Sequence, residues 1–117
     1  MILMPMIYVT DMDRSVKFYE SLGFEVEIQS RTSRWTELVT GAGAKLALHH
    51  ADRLAAPSSR IELTLIATEP LGQIQERLRD AVSRPITDEA FGRALTVRDP
   101  DGLEIWVNEP DPELYTA

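Results

Sequence analysis

Tyr8-Val9-Thr10-Asp11-Met12-Asp13-Arg14-Ser15-Val16-Lys17-Phe18-Tyr19, continuing through Leu22-Gly23-Phe24, is the stretch whose reading decides the fold. Ile7, Tyr8 and Val9 favour a strand, which begins at residue 2 and ends by residue 10. Asp11 or Asp13 then supplies a carboxylate that can accept from the free N–H groups at a helix start. Met12, Val16, Tyr19 and Leu22 recur at helical spacing and predict one apolar face. Gly23 predicts the stop, because it enters the left-handed region without a Cβ penalty.

Further along, residues 24–29, 35–39 and 45–49 read as short strands, separated by polar residues 30–33 and by Gly41-Ala42-Gly43. Residues 1–50 thus predict a βαβββ module. Residues 51–60, with Ala55-Ala56-Pro57-Ser58-Ser59, follow neither period and read as a connector. The pattern then restarts over 61–108. A strand is expected at 61–67, a helix start at Glu69-Pro70, and a buried helix face of Leu71, Ile74, Leu78 and Ala81. Strands follow at 84–86, 91–98 and 103–107, the first short or at an edge because Pro85 cannot donate to a ladder. Asp99-Pro100-Asp101-Gly102 has the residue order of a type I turn. A shift of about 58 residues lays helix on helix, a period longer than solenoid repeats use. The fold class is α+β: one domain of two tandem βαβββ modules, with 109–117 as a C-terminal tail.

The length of 117 residues suits one core. The absence of cysteine excludes disulfides, thiolate metal ligands and a cysteine nucleophile, and is compatible with a cytoplasmic setting. Apolar residues 1–9 lack a basic leader and are cut off by Asp11 far short of a membrane span, so no membrane partner is expected. A net charge of −7 repels phosphate backbones, which argues against nucleic acid and favours a cationic ligand. No nucleophile elbow surrounds Ser15, Ser58 or Ser59, and Gly41–Gly43 is too short for a nucleotide fingerprint.

The opening stretch, together with Gly92-Arg93 through Asp99-Pro100-Asp101-Gly102 to Glu109, resembles the vicinal oxygen chelate superfamily, the fold of glyoxalases, bleomycin-resistance proteins and extradiol dioxygenases. The resemblance spans nearly the whole chain. It implies that each module curls into part of a curved mixed sheet around a cleft and that two chains associate as a homodimer. It also implies metal ligands, usually His, Glu or Gln, on the cleft face of the first, fourth, fifth and eighth strands. Those places fall on Met4, Ala47, Glu62 and Trp106, of which only Glu62 suits a hard cation. No metal and no other cofactor is therefore expected.

Strand alternation separates a core face from a ligand face. Leu103, Ile105 and Val107 are expected to meet helices, leaving Glu104, Trp106 and Asn108 opposite. Ile61, Leu63 and Leu65 likewise leave Glu62 and Thr64 opposite, while Lys45, Ala47 and His49 line up with Met4, Met6 and Tyr8. His49 and His50 are neighbours on a strand and cannot ligate one ion together. Glu62 is either a base with a raised pKa or the partner of Lys45 or an arginine. Trp35 and Trp106 are stacking platforms or barrel packing, and Met4 and Met6 an adaptable wall or plain core.

The expected function is metal-independent binding of an aromatic or cationic small molecule, a sequestering role of the bleomycin-resistance kind. The ligand set is Met4, Met6, Tyr8, Trp35, Ala47, His49, Glu62, Thr64, Glu104, Trp106 and Asn108. The alternatives are a lyase, isomerase or dioxygenase-like enzyme with Glu62 as general base and His49 or Tyr8 as its partner, and an interaction domain without a ligand.

Overall fold

The structure, a computed structural model, describes residues 1–54 and 60–114, so residues 55–59 of the expected connector and 115–117 of the tail lie outside the described residues. In chain order the elements are β1 (Ile2–Leu3), β2 (Met6–Val9), α1 (Met12–Glu20), β3 (Glu25–Gln29), β4 (Trp35–Val39), β5 (Lys45–His50), β6 (Ile61–Glu62), β7 (Thr64–Ile66), α2 (Leu71–Arg77), β8 (Val82–Glu89), β9 (Gly92–Arg98) and β10 (Glu104–Pro110). They form two five-stranded mixed sheets, and the α+β class stands. The described chain divides into two compact units, residues 4–54 with 60–62, and residues 1–3 with 63–114. Among the described residues no helix is long and apolar enough to cross a membrane.

In the unit built on residues 4–62 the strand order is β3-β4-β5-β2-β6, with β2 parallel to β5. Asp11 caps α1, its side chain accepting from the Arg14 amide at 3.1 Å. Met12 and Val16 are buried against Val9, Leu38, Leu46 and Leu48, and Tyr19 and Phe24 pack at the margin. Leu22 corrects the expected helix face: α1 ends at Glu20, and Leu22 is 62% exposed. The amides of Leu22 and Gly23 bond three residues back, to Tyr19 and Glu20, and this tighter turn carries Leu22 off the apolar stripe. Gly23 closes it at φ +102°.

In the other unit the order is β1-β7-β10-β9-β8, with β7 parallel to β10. Leu71 and Ile74 of α2 are buried against Leu95, Val97 and Val107, with Leu78 and Ala81 half-buried beside them. Pro70 has no side chain that can cap α2; the Glu109 carboxylate does so, accepting from the Leu71 amide at 3.1 Å. The strand expected at 84–86 is longer, Val82–Glu89, and lies at the sheet edge. Its register shifts on both sides of Arg84, which lets the ladder pass the missing Pro85 donor. At the 99–102 turn Gly102 N–H donates to the Asp99 carbonyl at 3.0 Å, and Asp99 Oδ1 accepts from the amides of Asp101 and Leu103, each at 2.9 Å. Leu103 belongs to that turn and is 54% exposed, so the expectation that it meets a helix is corrected.

Two expected strands are each divided. Residues 2–10 break around Met4 and Pro5: β1 pairs with β7, while β2 lies between β5 and β6. Pro5 has no N–H with which to extend a ladder. Residues 61–67 break at Leu63, so that β6 pairs with β2 and β7 with β10. Ile61 therefore sits on a two-residue edge strand, 63% exposed, and not in a core as expected.

Candidate functional site

The sheet face opposite α1 collects most of the expected ligand residues. Leu38, Leu46, Leu48 and Val9 point to the core, so the alternate residues of β4, β5 and β2 share the other side. Register sets two rows across it: Trp35–His49–Tyr8, and Glu37–Ala47–Met6–Glu62. In the first row the Trp35 and His49 ring centroids are 5.7 Å apart at 78°, and those of His49 and Tyr8 are 5.3 Å apart at 71°. Both are edge-to-face contacts, the arrangement that ring quadrupoles favour.

Each outer ring of that row donates to a carboxylate. Trp35 Nε1–H donates to Glu37 Oε2 at 2.8 Å, and the Tyr8 hydroxyl donates to Glu62 Oε1 at 2.8 Å. The central imidazole is fixed differently, with His49 Nδ1 2.9 Å from the His50 carbonyl oxygen. A carbonyl only accepts, so Nδ1 carries the proton of the neutral ring and Nε2 carries the lone pair.

Glu37 is 4% exposed, and among the described residues no cation lies within ion-pair distance of it. Burial pushes its carboxyl above the ordinary value, against the opposing pull of the Trp35 hydrogen bond and the Lys45 charge. Lys45 itself pairs with Glu27 at 2.8 Å. The Tyr8 phenol is pushed up to about 12, first by burial and then by the hydrogen bond to Glu62 and the charge of that carboxylate. The expected pairing of Glu62 with Lys45 or an arginine is thus corrected: its partner is Tyr8 on the adjacent β2, which lies between β6 and β5's Lys45 in the sheet, and Lys45 pairs with Glu27.

Met6 and Ala47 are buried in the second row, and Met4, in the link that leads from β1 to β2, is buried as well. Tyr8, Trp35, His49 and Glu62 remain half-buried. Thr64, Glu104, Trp106 and Asn108 belong to the other unit. There Trp106 lies between Thr64 and Thr96 across the strands, and the Arg84 guanidinium stands 5.7 Å from its ring centroid. Thr64 and Asn108 are buried. The Asn108 Oδ1 and Thr96 Oγ1 atoms are buried and have no hydrogen-bond partner among the described residues. Glu104 is exposed and ion-paired with Arg98 at 3.2 Å.

Sequence reasoning passed over Glu37, Thr96 and Arg84. Glu37 was within reach, since it stands two residues from Trp35 on one strand and so shares its face. Arg84 was not, because its place beside Trp106 depends on the shifted register of β8.

The metal positions implied by the fold hold Met4, Ala47 and Glu62 in one unit and Trp106 in the other. Among the described residues no three His, Cys, Asp or Glu side chains gather where they could hold an ion. A thioether, a methyl and an indole do not fit a hard or borderline divalent cation.

A family model described as Glyoxalase/Bleomycin resistance protein/Dioxygenase superfamily matches residues 2–107. Among solved structures, a glyoxalase/bleomycin resistance protein/dioxygenase superfamily member from Vibrio splendidus 12B01 is 20% identical, with a TM-score of 0.61, over 90% of this chain and 95% of that one. A protein described as an NAD-dependent benzaldehyde dehydrogenase from Legionella pneumophila is 19% identical, with a TM-score of 0.68, over 93% and 99%. A protein from Staphylococcus aureus is 16% identical, with a TM-score of 0.59, over 93% and 96%. At these identities the likeness is one of fold. No curated protein matches the sequence.

Proposed function

Because the chain belongs to the glyoxalase/bleomycin resistance protein/dioxygenase superfamily, we propose that it binds a small aromatic or cationic molecule without a metal, on the face that carries Trp35, His49 and Tyr8, and sequesters it. The observation that supports this reading is the half-buried ring row with a carboxylate at each end. Aromatic faces attract flat and cationic groups through area and quadrupole, by about 0.5–1 kcal/mol per cation–ring contact at exposed sites. Glu62 and the net charge of −7 favour a cation over an anion at this face.

In the enzyme reading, with Glu62 as the base, the Tyr8 hydroxyl takes one acceptor position on Oε1, and a substrate proton would go to another lone pair of that carboxylate. On the other unit, the guanidinium of Arg84 already stands at the Trp106 ring, which favours the Trp35 row as the platform.

Isothermal titration with 4-methoxyphenethylamine, an aromatic ammonium, tests the proposal. It should bind the native protein, and Trp35→Ala should weaken it about two- to fivefold. Absence of binding, or an affinity unmoved by Trp35→Ala, would remove the ring row from the account.

A further inference from the structure

We infer that His49 Nε2 is the atom through which this face selects its ligand, and that the ligand is a flat ring bearing an N–H or O–H donor at its edge. The inference rests on the binding proposed for the Trp35 row and goes on to name the ligand's chemistry.

Three observations carry it. The His50 carbonyl holds the Nδ1 proton, which leaves the Nε2 lone pair as the acceptor of the imidazole. The two polar hydrogens nearest in the ring row cannot satisfy it, because the indole N–H is engaged by Glu37 and the phenol O–H by Glu62. The carboxylates thereby act as positioning residues, turning the row's own donors away from His49. The third observation is ring orientation. A donor approaching Nε2 lies in the imidazole plane, and a guest ring coplanar with the imidazole would stand nearly perpendicular to Trp35 and Tyr8, as the imidazole does at 78° and 71°. Since His49 is half-buried, a ligand can approach it while a hydrogen bond made there is partly shielded from water.

The probes are tyramine and its O-methyl ether, 4-methoxyphenethylamine, which differ in one hydroxyl donor. Tyramine should bind about fivefold more tightly, the fold-change of one ordinary hydrogen bond. His49→Phe keeps a flat ring and removes the acceptor, so the ratio of the two affinities should fall to about one; His49→Gln, which can accept, should restore part of that ratio. On the native protein, long-range proton–nitrogen NMR should show His49 protonated at Nδ1, with tyramine, and not the ether, moving the Nε2 resonance. Equal binding of the two probes, a preference that survives His49→Phe, or a His49 protonated at Nε2 would overturn the inference while leaving the ring row as a binding face. If neither probe binds, both the inference and the function it rests on fall.

Discussion

Glu37 is a carboxylate buried with a single indole hydrogen bond and no ion-pair partner among the described residues, and its titration should be visible in stability. Its pKa is raised in the fold, so its neutral form is the one the fold favours. That contribution is complete below the ordinary carboxylate range and is lost as pH rises through the raised value. The native protein should therefore lose stability relative to Glu37→Gln as pH is raised above the ordinary carboxylate range, measured as urea midpoints. A difference that stays flat with pH contradicts the burial argument. Gly92 is constrained by backbone: at φ +146° an added Cβ would collide with the Glu109 carbonyl. Gly92→Ala should cost about 3 kcal/mol or more in the same assay. Of these features, the shared face of Tyr8, Trp35 and His49 was legible in strand alternation. The Tyr8–Glu62 bond was not, because it depends on which strand lies beside β2.

Elements whose boundaries are set by local chemistry read well from sequence, and those set by pairing did not. Asp11 and Gly23 mark the start and stop of the first helix by side-chain and backbone effects that need no tertiary contact. Leu22 and Leu103 kept the expected period but lie past the points where a turn had taken over. The division of residues 2–10 and 61–67 between two sheets could not be read, although Pro5 was a usable sign that one ladder could not run through. Asp11→Ala should cost about 1 kcal/mol. Glu109→Ala should cost at least as much, since α2 loses its cap, whereas Arg93→Ala removes only a surface ion pair and should cost less than about 1 kcal/mol. Equal losses for Glu109→Ala and Arg93→Ala would mean that the ion pair, and not the cap, is what Glu109 contributes.

At the scale of the whole molecule, the duplicated pattern and the two signature stretches made the family legible, and the family model over residues 2–107 agrees. Family membership brings an expectation of metal chemistry that the residues at the implied positions do not meet, and a row of rings stands on the same sheet face as two of those positions, Ala47 and Glu62. With a net charge of −7, affinity for an ammonium probe should fall as salt is raised from low ionic strength toward 0.15 M, most steeply while the Debye length still exceeds about 8 Å. The decisive measurement is the affinity for 4-methoxyphenethylamine before and after exhaustive dialysis against a chelator. One dissociation constant is expected throughout; binding that disappears on chelation and returns with a divalent transition metal would contradict metal-independent binding.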